Sequence, residues 1–155
     1  MNYLPAQDPS SYLDGLNPAQ RAAVVFGVAA ERPVRSTPPL LIIAGAGTGK
    51  TSTLAHRVAH LILNGADPRR ILLLTFARRM AAEMTRRVER ICATALKGRT
   101  FAVGDTIEWS GTFHAVGAKL LRLYAENIGL EPEFSILDRS DAADLMDLVR
   151  DDLEL

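Results

Sequence analysis

The segment from Leu40 to Thr51, LLIIAGAGTGKT, constrains the fold more than any other part of this 155-residue chain. Its four aliphatic residues, Leu40–Ile43, predict a short strand buried on both faces. A glycine-rich stretch follows, and Lys50-Thr51 opens a helix. Glycines let successive backbone N–H groups turn toward one anion, and a helix N-terminus adds partial positive charge. This order of elements therefore predicts a loop that binds nucleotide phosphates.

The predicted phosphate site consists of the loop residues Ala44, Gly45, Ala46, Gly47, Thr48, Gly49, Lys50 and Thr51. Lys50 is expected to contact the β- and γ-phosphates, and the Thr51 hydroxyl is expected to bind Mg²⁺. Ala44 stands where the usual pattern, G-x-x-x-x-G-K-[ST], has its first glycine. A dinucleotide-binding G-x-G-x-x-G does not fit, because Lys50 takes the place of its third glycine.

The composition is that of an ordinary soluble domain, with 48% hydrophobic and 23% charged residues. No apolar stretch approaches membrane-spanning length, and the N-terminus lacks the basic start and apolar core of a signal peptide. A single cysteine, Cys92, excludes an internal disulfide and a cysteine-rich metal site. We therefore expect a cytoplasmic protein without a membrane partner, in which Cys92 is a buried thiol.

The net charge of zero conceals a strong polarity along the chain. The segment 69–99 has nine basic and two acidic residues, whereas the segment 126–155 has ten acidic and two basic ones. A basic middle favours a polyanionic partner, and an acidic end favours a solvated or partner-facing helix. On composition alone, two charged helix faces that bind nothing are the favoured interpretation.

Apolar periodicity and capping residues predict the remaining elements. Helices are expected over 18–27, 50–64, 77–95 and 114–124, with a last helix capped by Ser140, and strands over 40–43, 71–75 and 106–113. The residues predicted to be buried in the later helices are Leu54, Val58, Leu61 and Ile62; Met80, Met84, Val88, Ile91 and Ala95; Val116, Leu120 and Leu123; and Leu145, Leu148 and Val149. Strand, helix, strand with this pattern implies parallel pairing through a right-handed crossover.

Four motifs follow one another in a specific order. They are Leu16-Asn17-Pro18-x-Gln20, then AGAGTGKT, then Leu73-Leu74-Thr75-Phe76 leading into Met80–Met84, and then Gly111-Thr112-Phe113-His114. Over roughly residues 13–150, this order resembles the N-terminal end of UvrD/Rep/PcrA-type superfamily 1 DNA helicases. The resemblance implies an α/β fold of the P-loop NTPase type, a parallel sheet with helices on both faces that forms part of a RecA-like domain. It also implies a partial ATP-binding domain at 16–138 and a C-terminal helix at 139–155 that starts a helical insertion. Residues 1–15 have little periodicity and several turn-forming residues, which predicts an N-terminal arm that is poorly ordered at its start.

The same resemblance implies ATP and Mg²⁺ as cofactors and single-stranded DNA as a partner. Gln20 would recognise the adenine. The residues implied to contact DNA follow the ends of two strands and are Thr75, Phe76, Arg78, Arg79, Thr112, Phe113 and His114. Phenylalanines can stack on bases, while hydroxyls and arginines can bind backbone phosphates.

Members of that family are several times longer and carry a Walker B Asp-Glu pair, an arginine finger and a second motor domain. None of these occurs in the 155 residues, and the nearest imitation of a Walker B strand, Phe134–Asp138, is followed by Arg139 instead of glutamate. We therefore expect the ATP-binding N-terminal part of a DNA helicase, with the remainder absent, that binds DNA weakly and does not hydrolyse ATP alone. A small P-loop kinase and a non-catalytic nucleotide- or DNA-binding remnant are the alternatives.

Overall fold

The computed structural model describes residues 11–28, 38–96 and 107–154, which contain five helices and two strands. These elements are α1 (Pro18–Val25), α2 (Lys50–Leu63), β1 (Leu72–Thr75), α3 (Arg78–Ala95), β2 (Trp109–Thr112), α4 (Phe113–Leu123) and α5 (Arg139–Asp152). Single 3₁₀ turns occur at Ser11–Leu13, Pro68–Arg70 and Glu126–Ile128. The predicted positions of the helices are confirmed to within one or two residues.

The two strands form a small parallel sheet. Leu72 pairs with Trp109 and Thr75 with Thr112, so both strands end at the same edge. Helix α3 connects them and packs against both. The parallel α/β arrangement is therefore confirmed on a small scale, whereas helices on both faces of a larger sheet stay a prediction. The predicted strand over 106–113 is shorter than expected, because Phe113 already begins α4 and residue 106 lies outside the described residues.

The prediction of a buried strand at Leu40–Ile43 is wrong. The segment has no strand assignment, and Leu41 and Ile43 are 81% and 88% exposed. In the described part of the chain it pairs with neither β1 nor β2. A strand needs a neighbour for its backbone hydrogen bonds and a covering layer for its side chains, and neither follows from an aliphatic pattern alone.

The core lies between α2, α3 and β1. It consists of Ala55, Val58, Ala59, Leu73, Met84, Val88, Cys92 and Ile107. In α2, Val58 is buried as predicted, whereas Leu54 is exposed and Leu61 and Ile62 are half-buried. The small residues Ala55 and Ala59 are buried in the core instead.

Helix α3 buries a face that is rotated from the predicted one. Met84, Val88 and the Cys92 thiol are buried as expected, but Ala81 takes the place predicted for Met80, which is 45% exposed. Ile91 packs only partly against the core, and Ala95 is half-buried. Because adjacent helical residues point about 100° apart, this one-residue difference moves Met80 out of the core.

The described part of the N-terminal arm packs against the rest of the chain. Leu13 is buried, and the Tyr12 hydroxyl lies 2.6 Å from Nδ1 of His60 in α2. The expectation of an unstructured start falls on residues 1–10, which lie outside the described residues. Asn17 caps α1 and Pro18 occupies its first position, as predicted.

The chain divides into two compact units, Met1–Val116 and Gly117–Leu155. In the second unit the predicted burial of five apolar residues is wrong, since all are 40% or more exposed: Leu120, Leu123, Leu145, Leu148 and Val149. The prediction of Ser140 as the cap of α5 is also wrong. Asp138 caps the helix, and its side chain accepts hydrogen bonds from the backbone N–H groups of Ser140 and Asp141.

Across the described ranges, we find no helix that combines the length and the apolar character required to span a membrane.

Candidate functional site

The glycine-rich loop meets α2 in a conformation that only glycine adopts freely. Gly47 and Gly49 have φ values of 75° and 85°, and Gly49 is the N-cap residue of the helix. No side chain caps the helix at this end. The first N–H groups of α2 thus have no side-chain acceptor, and together with the helix dipole they form an environment suited to an anion.

The loop is held closed by hydrogen bonds from its own side chains. The Lys50 ammonium donates to the carbonyl oxygens of Ala44, at 2.8 Å, and Gly45. The Thr48 hydroxyl also donates to Gly45 O, at 2.8 Å. The Lys50 ammonium is thus bonded to neutral carbonyl oxygens of the loop and not to a carboxylate. The structure therefore brings the predicted phosphate-site residues 44–51 together in one turn.

Gln20 lies directly against this loop. Its Oε1 accepts from the backbone N–H of Asn17, at 3.0 Å, and its Nε2 donates to Thr48 O, also at 3.0 Å. The Asn17 side chain returns a bond to the Gln20 N–H, which completes a capping box at the start of α1. A predicted adenine-recognising residue thus links α1 to the phosphate loop, 28 residues away. Adenine recognition itself stays a prediction.

A second wall faces the loop from α3. Met80, Glu83 and Arg87 line a cavity of about 320 Å³, which is lined on its other side by Gly47, Gly49, Lys50, Thr51 and Ser52. Arg87 forms an ion pair with Glu83. Sequence reasoning missed these residues, although their spacing of three and four places them on one helix face. Because Met80 was predicted to be a core residue, the sequence did not indicate that Met80, Glu83 and Arg87 form a face outside the core.

Directly after the C-terminal ends of β1 and β2, two phenylalanines lie side by side. Phe76 and Phe113 directly follow the paired residues Thr75 and Thr112, and their ring centroids are 5.3 Å apart. Phe76 is 92% and Phe113 51% exposed. The strand register thus produces an exposed aromatic pair.

The two threonines of this edge are engaged within the chain. Both are buried, with the Thr75 hydroxyl donating to Ala77 O and the Thr112 hydroxyl accepting from Ala115 N–H. Arg78, Arg79 and His114 are exposed. A second cavity of about 660 Å³ lies next to them and is lined partly by Arg78, Arg86, Thr85 and Ser110. The described surface therefore offers aromatic rings and cations to a ligand more readily than threonine hydroxyls.

Neither metal binding nor thiol chemistry is indicated by side-chain clusters in the described ranges. No three residues among histidine, cysteine, aspartate and glutamate lie together there as a metal site. Burial raises the pKa of the Cys92 thiol to about 11, which keeps it protonated and unreactive at neutral pH. The Mg²⁺-binding role of Thr51 remains a prediction.

Comparison with known proteins agrees with the order of motifs. Residues 16–155 match the UvrD/REP helicase N-terminal domain family. "ATP-dependent DNA helicase UvrD1" of Mycobacterium leprae is 39% identical over 97% of this chain, and "ATP-dependent DNA helicase PcrA" of Bacillus subtilis is 39% identical over 91%. "DNA helicase II" of Haemophilus influenzae is 36% identical over 86%. The chain spans 18%, 16% and 17% of these three relatives, respectively. This chain belongs to the UvrD/REP helicase N-terminal domain family.

Proposed function

We propose that this chain binds ATP with Mg²⁺ through the loop from Ala44 to Thr51, as the nucleotide-binding part of an ATP-dependent DNA helicase. Two of the relatives named above, UvrD1 and PcrA, are ATP-dependent DNA helicases by name, which supports the choice of nucleotide and of function. The observation that carries the proposal is the pair of left-handed glycines, Gly47 and Gly49, leading into the uncapped start of α2. A phosphate at this position would receive backbone N–H groups aligned with the helix dipole.

Lys50 supplies the cation of the site. Its ammonium lies on the carbonyls of Ala44 and Gly45, so a bound phosphate would compete with neutral acceptors and not with an ion pair. Charge-assisted hydrogen bonds are roughly twice as strong as neutral ones, so this exchange favours the phosphate. Thr51, next along the helix, would hold Mg²⁺, which would neutralise charge on the phosphates.

Gln20 is proposed to recognise adenine, because a glutamine amide can donate and accept side by side against the N6/N7 edge. In this structure both ends of the amide bond to the chain, to Asn17 N–H and to Thr48 O. Adenine recognition would therefore replace these bonds. Binding of adenine to Gln20 would break its hydrogen bond to Thr48 O, so base recognition would affect a residue of the phosphate loop.

Single-stranded DNA is proposed to bind weakly at the edge that carries Phe76 and Phe113. The two exposed rings provide a stacking surface, and Arg78 and Arg79 lie next to Phe76 in the chain. Such binding is tolerant of sequence, since every base has an aromatic face, and it depends on salt, since phosphate contacts release counterions.

Lys50→Ala tests the nucleotide site. Loss of a charge-assisted contact of about 1.5–3 kcal/mol lowers ATP affinity roughly tenfold to a hundredfold. Isothermal titration calorimetry with MgATP measures the change, and Arg70→Ala, an exposed arginine beyond the opposite end of α2, is the matched control. Gln20→Ala should mainly weaken the preference for ATP over GTP. Equal ATP binding by wild type and Lys50→Ala would remove the basis of the assignment.

Fluorescence anisotropy with a labelled single-stranded oligonucleotide tests the DNA edge. Phe76→Ala should weaken binding by about fivefold or more, because stacking is worth about 1–3 kcal/mol per base. The affinity should also fall steeply as salt is raised. Arg70→Ala again serves as the control. Absence of binding at low salt, or a signal that ignores salt, contradicts this part of the proposal.

A further inference from the structure

Helix α3 presents a face that is neither part of the core nor part of the DNA edge. Met80, Glu83 and Arg87 lie on it at helical spacing and form one wall of the 320 Å³ cavity. The opposite wall belongs to the loop and to the first turn of α2. The space between the two walls is large enough for phosphate groups.

We propose that Arg87 is a second cation of this site and contacts the outermost phosphate of a nucleoside triphosphate, with Glu83 as its positioning residue. The inference rests on the proposed nucleotide binding. Under that proposal Lys50 and Thr51 hold the outer phosphates, and both line the cavity that Arg87 also lines. An anion between them would therefore lie between two cations from different elements, Lys50 of α2 and Arg87 of α3.

The Glu83–Arg87 pair is suited to exchange. The Arg87 side chain is 36% and the Glu83 side chain 58% exposed, so water screens their attraction. Exposed ion pairs of this kind contribute only about 0–1 kcal/mol. A guanidinium binds phosphate in a planar, two-pronged geometry that an ammonium cannot reproduce. Arg87 can thus turn from the carboxylate to a phosphate at little cost.

Glu83 has a second consequence for ligand choice. It is the carboxylate among the residues lining the cavity, so it repels a bare triphosphate there. A divalent cation carried by the nucleotide reduces that repulsion. Glu83 therefore makes binding more dependent on Mg²⁺ while it orients Arg87 in the absence of nucleotide.

The test compares ATP, ADP and AMP, each with and without Mg²⁺, by calorimetry on the folded chain. Arg87→Ala should lower MgATP affinity about tenfold and MgADP affinity less than about threefold, since only the outermost contact is lost. Arg87→Gln removes the charge but keeps a long polar side chain, and it should lower MgATP affinity by a similar factor. It therefore tests the same contact if Arg87→Ala fails to fold. Arg87→Lys should recover only part of the loss. Glu83→Gln should strengthen ATP binding without Mg²⁺ by several-fold.

Comparisons among variants distinguish a failure of the proposed role of Arg87 from a failure of the proposed nucleotide binding. Arg70→Ala removes one exposed positive charge beyond the far end of α2, so an equal loss in Arg70→Ala and Arg87→Ala would reduce the effect to general electrostatics and overturn the inference. If Lys50→Ala loses ATP but neither Arg87→Ala nor Arg87→Gln does, the inference fails and the nucleotide site stands. If the wild type binds no nucleotide, both fail. Uniform losses for ATP, ADP and AMP also overturn the role at the outermost phosphate.

Discussion

At its first residues α2 has no side-chain cap, whereas at its last residues side chains and backbone of the same chain bond to one another closely. Asn64 donates from its side chain to His60 O at 2.7 Å, and the backbone N–H groups of Gly65 and Ala66 reach Ile62 O and Leu61 O. The Tyr12 hydroxyl bonds to the His60 ring. One end of the helix is thus satisfied internally and contributes to stability. The first N–H groups at the other end have no side-chain acceptor.

The difference follows from the residues at each end. Gly49 and Gly65 both have left-handed backbones, with φ values of 85° and 92°. A side chain at Gly65 would meet nothing within 4 Å, whereas one at Gly49 would come within 2.8 Å of Gln20 Nε2. The uncapped end is therefore also the crowded one, because the backbone of the loop and the Gln20 amide are close together there.

The largest expected effect concerns turnover. We expect the 155-residue chain to bind ATP without hydrolysing it at a useful rate, because phosphoryl transfer to water needs Mg²⁺, a residue that positions the water, and positive charge for the transition state. Asp138 caps α5, so this carboxylate is not set up as a base. An absent arginine finger alone lowers the rate by about 10³–10⁵ in comparable NTPases.

Phosphate release in the presence of Mg²⁺ and single-stranded DNA measures this rate, with Lys50→Ala as the control for contaminating ATPases. Turnover of about one per second that disappears in Lys50→Ala would show that the uncapped end of α2 does more than bind. It would also favour the alternative of a small P-loop kinase.

Paired glycine substitutions sharpen the comparison between the two helix ends. Gly49→Ala and Gly65→Ala each place a side chain in a left-handed conformation, which costs roughly 1–2 kcal/mol of unfolding free energy. Only Gly49→Ala should also lower ATP affinity, by displacing Gln20 from Thr48. Urea unfolding and calorimetry on both variants measure the two effects. Equal losses of ATP affinity in Gly49→Ala and Gly65→Ala would contradict the proposed difference between the two ends of α2.

Local features of the sequence predicted the helices well. Asn17-Pro18 marks the start of α1 and Asn64-Gly65 the end of α2, because capping depends on residues within one turn of the chain. The predicted phosphate loop is local in the same sense, and its binding of phosphate stays a prediction. Its glycines, lysine and helix N-terminus are consecutive, so no distant contact decides whether they come together.

Features that depend on distant partners were predicted poorly. Burial of Leu40–Ile43 required a neighbouring strand, and burial of Leu145 on α5 required a covering element; the described residues provide neither. The contact of Gln20 with Thr48 joins two segments 28 residues apart. Arg87 was missed because the rotation of α3 is set by Ala81 and Met84 packing into the core, and not by the pattern of its charges.

The smallest expected effect tests the satisfied end of α2 through pH. Burial, together with the nearby Arg57, lowers the pKa of His60. The folded chain therefore favours the neutral ring, whose Nδ1 forms a hydrogen bond with the Tyr12 hydroxyl. The contribution of this histidine to stability is complete above its ordinary pKa of about 6.5, and it falls as pH drops from there toward the lowered folded value.

Urea midpoints at pH 7.5 and 5.5 measure the dependence in wild type, His60→Gln and His114→Gln, the last being an exposed histidine of the same unit. His60→Gln should lose part of the drop in stability between the two pH values, whereas His114→Gln should retain it. Tyr12→Phe at pH 7.5 should cost about 1 kcal/mol, the usual net value of one hydrogen bond. None of these variants should change ATP affinity, because the contacts of His60 lie at the opposite end of the helix from Lys50. A loss of ATP affinity in Tyr12→Phe would show that the two ends of α2 are coupled through the helix. The stabilising end would then also contribute to nucleotide binding.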